Sequence, residues 1–201
     1  MSRKSLYLSI TLGPASFKNF AVFDAMTKHR KWKTPMSIGA AGVIGGFISF
    51  MMQDMWENMF LLGVFLMVLG MFIPSMYFKN FYASIREQTA KMNIEQPRHV
   101  YSIEMKSDPE GIIYYYPKEK TPAGKFSWSA IDGVWRTEKA IYLYVDDKRS
   151  LIIPDNTKNI RQDEIWNFIK GHAKAEKMHD ERGKKNSMFQ MNLYSLFKKE
   201  K

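Results

Sequence analysis

The sequence predicts a membrane α+β protein, in which a two-helix transmembrane hairpin precedes a small antiparallel β-sheet or open barrel with a C-terminal helix. Residues 36–52 contain no charged side chain, and neither do residues 59–78. At about 1.5 Å per residue these runs would span about 26 and 30 Å, close to the roughly 30 Å hydrocarbon core of a bilayer. From residue 98 onward, short apolar runs alternate with turn residues, a pattern typical of a small sheet.

Residues 1–33 are predicted to form a strand and an amphipathic helix. Apolar residues alternate with polar ones in the strand, at Leu6, Leu8, Ile10 and Leu12. This period of two is that of a half-buried strand. Over residues 15–32 the apolar residues recur at intervals of three, at Phe17, Phe20, Phe23 and Met26. That spacing predicts a helix with one apolar face.

The transmembrane hairpin is assigned to residues 34–78, with spans at about 35–52 and 59–78, followed by a juxtamembrane helix over residues 79–97. Residues 1–35 carry seven bases and one acid, the turn 53–58 carries two acids and no base, and residues 79–201 carry 23 bases and 17 acids. Because basic loops stay in the cytoplasm, we expect a multi-pass protein of the cell inner membrane with both termini cytoplasmic.

Small residues indicate how the two spans pack. They recur every four positions in the first span and twice in the second, at Ser37, Ala41, Gly45, Ser49, Gly63 and Gly70. Small residues at this spacing let helix backbones approach closely. The partner of the first span is either the second span or another copy of the chain in a homo-oligomer, and the intramolecular contact is favoured.

A basic cluster lies immediately before the first span, at Lys28, Arg30, Lys31 and Lys33. Such a cluster either sets topology during insertion or binds lipid headgroups as a diffuse electrostatic clamp. We interpret the formal charge of +10 as attraction to the anionic inner leaflet. Nucleic acid is not an expected partner, because no soluble face interleaves basic with aromatic residues.

Residues 98–174 are predicted to form a cytoplasmic β domain with a closing helix. Its strands are expected at residues 99–105, 112–116, 125–128, 134–137, 140–145 and 150–154. Ile165, Phe168, Ile169 and His172 give the closing helix its apolar face, and Trp128 and Trp166 are expected to be buried. Residues 175–201 form a tail that is either disordered or a basic amphipathic helix on the inner leaflet.

The sequence contains no recognisable catalytic or cofactor-binding motif. The chain has no cysteine, and none of its four histidines has a metal-binding partner at ligand spacing outside the tail. No phosphate-binding glycine loop, nucleophile elbow or zincin motif is present. The spans contain no ionisable residue, which argues against a proton relay in one protomer. We therefore expect no enzymatic activity, no metal and no cofactor.

Four short motifs carry a resemblance to a known family. They are Gly111-Ile112-Ile113, the segment WSAIDGV at residues 128–134, IYLY at 141–144 and LIIP at 151–154. In these motifs, and in the order of its elements over most of residues 5–170, the chain resembles the YcxB-like family of small bacterial membrane proteins. The resemblance implies a cytoplasmic domain of the pleckstrin-homology (PH-like) type, whose sheet the amino-terminal strand would join. The family supplies no established chemistry, and the tail after residue 175 departs from its pattern.

Two classes of function remain. The first is a membrane-tethered regulatory or interaction module whose β domain binds a protein partner or lipid headgroups. The second is a defence-type membrane protein, either an immunity factor against a membrane-acting toxin or an oligomeric pore-forming effector. A neighbouring toxin-like gene would favour immunity, and growth arrest on overexpression would favour the pore.

Overall fold

The computed structural model describes residues 5–52, 58–107, 109–146, 149–155, 157 and 160–183. The chain folds as two compact units. The β unit consists of the chain up to Phe20 and from Ile94 onward, and the helical unit consists of Ala21–Asn93. The β unit is therefore built from two segments that are separated in sequence by the whole helical unit.

Sheet 1 joins these two segments. Strand β1 (Ser5–Leu12) pairs antiparallel with β2 (Arg98–Lys106), and β3 (Ile112–Tyr115) and β4 (Gly124–Phe126) follow in that order. In β1 every second side chain is buried, as its alternating sequence predicts. The pairing of the amino-terminal strand with the sheet, which the family resemblance implied, is present.

Sheet 2 contains β5 (Gly133–Arg136), β6 (Ala140–Tyr144), β7 (Ser150–Pro154) and β8 (Met178–Asp180), in the order β7-β6-β5-β8. The sequence predicts a small antiparallel sheet or open barrel, and the observed strands differ from a single antiparallel sheet in two respects. The strands form two sheets, and β8 pairs parallel to β5. A parallel pair requires a crossover connection, and the chain between these strands includes a helix that supplies one.

Helix α4 (Gln162–Lys170) closes the β unit, as predicted. Ile165, Trp166 and Ile169 are buried along one side of it. Trp128 lies in a short 3₁₀ turn (Trp128–Ala130) instead of a strand, and its indole Nε1 donates to the Lys106 carbonyl over 2.8 Å. Trp128 is 3% exposed and Trp166 is 9% exposed, which confirms the expected burial of both rings.

A tyrosine of sheet 1 forms hydrogen bonds with the backbone of sheet 2. The hydroxyl of Tyr101 in β2 donates to the Ile152 carbonyl over 2.9 Å, and the Ile152 amide donates to the same hydroxyl over 2.7 Å. Burial raises the pKa of Tyr101 well above its ordinary value, so the hydroxyl stays protonated and able to donate. This pair of hydrogen bonds holds the two sheets together.

Helix α1 (Pro14–Phe23) packs its aromatic face within the β unit, where the Phe20 ring lies 5.4 Å from the ring of Tyr142. The prediction of a continuous helix to residue 32 is wrong. A five-residue π-helical turn (Asp24–Lys28) follows α1, and Arg30 adopts a φ of +49°. A left-handed residue cannot continue a right-handed helix, so the helix ends before Arg30.

The helical unit contains α2 (Lys33–Met51) and α3 (Met59–Lys91), both long and apolar enough, by length and composition, to cross a membrane. The predicted second span and juxtamembrane helix are parts of one helix, α3, in which Pro74 lies internally. Many large apolar side chains on both helices are exposed, namely those of Ile38, Ile44, Phe47, Ile48, Phe60, Leu61, Phe65, Val68, Met71 and Phe72.

The predicted tail begins with ordered structure. Its first residues form a 3₁₀ turn (Ala175–Lys177) and strand β8. The expected disorder or amphipathic helix of residues 184–201 lies outside the described residues, as does the acidic turn at residues 53–57.

Candidate functional site

Helices α2 and α3 meet antiparallel through glycines. A Cβ atom at Gly42 would lie 2.9 Å from the Gly70 Cα, and one at Gly46 would lie 2.8 Å from the Gly63 carbonyl oxygen. At Gly39 a Cβ atom would lie 2.7 Å from the Gly70 oxygen. These distances are shorter than real Cβ contacts, and their far atoms are backbone, so side chains at these positions would push the helices apart.

The structure brings together only part of the predicted packing stripe. Gly63 and Gly70 lie in the contact, and Ser49 is buried with its hydroxyl donating to the Gly45 carbonyl. Gly45 itself is peripheral. Ser37 and Ala41 are exposed. The face of α2 that meets α3 is instead formed by Gly39, Gly42, Gly46 and Ser49.

The periodicity of a helix explains this shift. Residues spaced strictly four apart drift by about 40° at each step, because an α-helix turns about 100° per residue. Intervals of three and four, as between Gly39, Gly42 and Gly46, stay on one face. The sequence therefore contained the signal for the observed contact face.

The uncharged stretches of the two helices begin near the same level. Continuing the antiparallel register six residues beyond the contacts of Gly39 with Gly70 and Pro74 brings Lys33 opposite residues 76–80, around the end of the uncharged stretch of α3 at Phe78. At the other end the rings of Phe50 and Phe60 lie 5.5 Å apart, next to the turn. The helix pair thus has an uncharged segment with a common boundary on both helices.

The predicted lipid-contact residues form a basic elbow, which we define as residues 28–33. Arg30, Lys31 and Lys33 are exposed, and Lys28 is half-buried. The Lys31 amide donates to the Ala25 carbonyl over 2.8 Å.

The indole of Trp32 also fixes the elbow, since its Nε1 donates to the Met26 carbonyl over 3.0 Å. These contacts give the elbow a defined backbone conformation. It presents three cations to solvent at the boundary where α2 begins.

A second charged site lies in the β unit, where Arg136 is 3% exposed. Its Nε donates to Gln162 Oε1 over 3.0 Å, and its Nη2 pairs with the Asp163 carboxylate. Arg182 pairs with Asp180 at 2.8 Å and reaches Asp163 at 3.4 Å. Hydrogen bonding to Arg136 lowers the pKa of Asp163, and Arg182 does the same for the pKa of Asp180. The network connects β5, α4 and the segment after β8.

An open cleft of about 670 Å³ adjoins this network. Three arginines and three acids line it with other residues: Arg136, Glu138, Asp155, Thr157, Ile160, Arg161, Gln162, Asp163 and Arg182. Its balanced charge gives no preference for an anion or a cation. We interpret the Arg136 network as structural, since its charges already pair with one another. Sequence reasoning missed it, because the partners of Arg136 lie 26 and 27 positions further along the chain.

Two of the histidines, His172 and His179, stack on tryptophan rings. His172 stacks on Trp128 at 5.3 Å and its Nε2 lies 3.1 Å from the Ser107 hydroxyl, while His179 stacks on Trp135 at 4.7 Å. In the part of the chain that the structure describes, no group of three or more histidine, aspartate or glutamate side chains is arranged to hold a metal ion.

The fold therefore defines a two-part chain, with a glycine-packed pair of long apolar helices and a two-sheet β unit. A family model described as "YcxB-like protein" matches residues 108–157, the part of the β unit that contains β3 to β7. The match confirms the resemblance over that segment. No curated protein and no solved structure gives a significant match to the chain. Since the family's description states no activity, function must be argued from the residues of this chain.

Proposed function

We propose that the chain is an integral membrane protein, in which α2 and the first part of α3 cross the bilayer as a hairpin and the β unit acts as a regulatory or interaction module. The observation that carries the proposal is the shared charge boundary of the two helices, where the antiparallel register brings Lys33 opposite residues 76–80, around the end of the uncharged stretch of α3. A helix pair that crosses a bilayer needs both of its uncharged stretches to enter the hydrocarbon at one depth.

The distribution of side-chain size supports the same proposal. Phe47 is 59% exposed and Leu61 is 67% exposed, whereas most of the glycines between the helices are buried. A helix pair in water would bury its large apolar side chains. In lipid the arrangement inverts, because small residues allow close backbone packing while large apolar side chains contact acyl chains.

Charge supports a cytoplasmic β unit. The turn at residues 53–58 carries two acids and no base, and the sequences on both sides carry an excess of bases. By the positive-inside rule, this asymmetry favours a cytoplasmic position for both termini.

The basic elbow supports contact with anionic lipid. Arg30, Lys31 and Lys33 are exposed at the charge boundary, where each base near an anionic surface contributes about 1 kcal/mol before screening. Because Trp32 and the π-helical turn fix the elbow's conformation, its cations would be held close to the headgroups. We assign the elbow the role of a diffuse electrostatic clamp.

For the β unit we propose a PH-like module. Two small sheets, the closing helix α4 and the YcxB-like match over residues 108–157 support this assignment. We propose an interaction role for the β unit in preference to an enzymatic one. The charged side chains that line the cleft beside Arg136 are balanced and pair with one another, and none of the lining groups is distinguished as reactive. The proposed partners are anionic lipids of the inner leaflet and a protein that is still to be identified.

Lipid quenching of single labels tests membrane insertion. The chain has no cysteine, so Val68→Cys and Gln88→Cys can each carry one fluorophore without further substitutions. Val68 is exposed on the uncharged part of α3, and Gln88 is exposed on its polar extension. We expect deep spin-labelled lipids to quench the label at position 68 in reconstituted protein and to leave the label at position 88 bright. Equal, weak quenching at both positions would contradict the proposal.

A further inference from the structure

One loop of the β unit lies at the end of sheet 1 where β1 ends and β2 begins. Strand β1 ends at Leu12, just before α1, and β2 begins at Arg98 after α3 has ended. Since the sheet is antiparallel, β3 runs back toward this same end. The connection between β3 and β4, which we name the sheet-end loop and define as residues 116–123, is therefore located there. The turn between β2 and β3 lies at the opposite end.

The sheet-end loop has the chemistry of an interfacial contact. Tyr116 is 50% exposed, and the ring of Tyr114 lies against it at 5.9 Å. Lys118 and Lys120 are exposed on the loop, with Glu119 between them. Tyrosine favours the headgroup region because its ring is apolar and its hydroxyl is polar, and lysines favour an anionic surface.

The backbone of the loop is held in one conformation. The Ala123 amide donates to the Tyr114 carbonyl over 2.8 Å, and the Glu119 amide donates to the Tyr116 carbonyl over 3.2 Å. Lys118 has a φ of +69°, in the left-handed region that favours glycine.

We propose that the sheet-end loop docks on the anionic leaflet through Tyr116, Lys118 and Lys120. This inference rests on the proposed function, since the hairpin would hold the β unit within reach of the bilayer. Charge complementarity selects an anionic lipid surface as the occupant. The loop carries two bases and one acid, and its net charge of +1 corresponds to roughly a fivefold preference for the docked state before screening by salt.

The experiment uses the full chain in lipid nanodiscs, made of phosphatidylcholine alone or of equal parts phosphatidylcholine and phosphatidylglycerol. Single labels are placed by Thr121→Cys in the loop and by Glu110→Cys in the turn at the opposite end of the sheet. We expect shallow spin-labelled lipids to quench the label at position 121 at least twofold more in the anionic discs, while the label at position 110 does not respond.

Matched variants separate charge from structure. Lys118→Gln with Lys120→Gln should abolish the extra quenching at position 121, whereas Lys139→Gln with Lys170→Gln removes two exposed lysines elsewhere in the β unit and should preserve it. Lys118→Gly removes one charge and relieves the strained backbone, so it should raise the melting temperature of the β unit while weakening docking. If Lys118 had only a structural role, the substitution would not raise the melting temperature and weaken docking at the same time.

The label at Val68→Cys, measured in the same discs, separates this inference from the proposed function. If position 68 is quenched and position 121 responds equally in neutral and anionic discs, the docking inference is overturned and the membrane hairpin stands. Docking is also overturned if both pairs of lysine variants change the quenching at position 121 equally. It is likewise overturned if position 121 becomes protected from solvent only when a protein is added. Failure of quenching at position 68 overturns both the docking inference and the membrane hairpin.

Discussion

Gly42→Leu is expected to separate α2 from α3 and to abolish the cooperative thermal transition of the helical unit. A side chain at this position would meet the Gly70 Cα at 2.9 Å and the Leu66 carbonyl oxygen at 3.0 Å. Both are backbone atoms, which cannot move aside as a flexible side chain can. We therefore expect a loss of at least about 3 kcal/mol, the upper end of ordinary overpacking. Circular dichroism of detergent-purified protein during heating measures it.

Ala41→Leu is the matched control for this substitution. Ala41 is the preceding residue of the same helix and is exposed, so the same leucine there should leave the melting temperature within a few degrees of the parent. Similar destabilisation by the two substitutions would show that the contact face is not the one formed by Gly39, Gly42 and Gly46. A change of oligomeric state in Ala41→Leu alone would instead identify a contact between copies of the chain.

Trp166→Ala is expected to give the largest loss of stability in the β unit, about 3–5 kcal/mol. The ring is 9% exposed, lies between the buried side chains of α4, and carries the Arg136 guanidinium over its face at 5.5 Å. Its removal leaves a cavity and also takes away a cation–π contact from an arginine that is itself buried. Chemical denaturation followed by the remaining tryptophan fluorescence measures the loss.

Trp166→Phe is the informative comparison, because it keeps an aromatic ring over which Arg136 can lie. We expect it to recover at least half of the stability lost in Trp166→Ala. A midpoint for Trp166→Ala within error of the parent would place Trp166 on the surface and would remove α4 from the core of the β unit.

The strands and the two long apolar helices could be predicted because their signals are local. The alternation of Leu6, Leu8 and Ile10 predicts β1, and the absence of charge over residues 59–78 predicts the apolar part of α3. Each of these signals reflects the environment of one short segment, and the segment's own composition determines that environment.

Strand β8 and the Arg136 network could not be predicted, because both are consequences of tertiary structure. The segment Met178–Asp180 has only three residues and no alternation of its own, and it becomes a strand because α4 returns the chain beside β5. The pairing of Arg136 with Asp163 likewise depends on where α4 packs. Neither the pairing of β8 with β5 nor the ion pair of Arg136 with Asp163 produces a periodic pattern in the sequence.

The basic elbow and the glycine contact are intermediate cases. Their residues are conspicuous in the sequence, but their geometry depends on the backbone conformation of single residues and on the helical period. The left-handed conformation of Arg30 ends a helix that the spacing of phenylalanines would have continued. A helical period of 3.6, applied strictly, would have selected Gly39, Gly42 and Gly46 in place of Ser37 and Ala41.

The most direct test of the central claim, that α2 and α3 cross a membrane with both flanks in the cytoplasm, is cysteine accessibility in intact cells. Asn58→Cys lies beside the turn between the helices, and Lys174→Cys lies in the β unit, at an exposed position. A membrane-impermeant maleimide should label position 58 from outside and position 174 only after the cells are permeabilised. Labelling of position 174 in intact cells, or equal protection of both positions until lysis, would contradict the proposed topology.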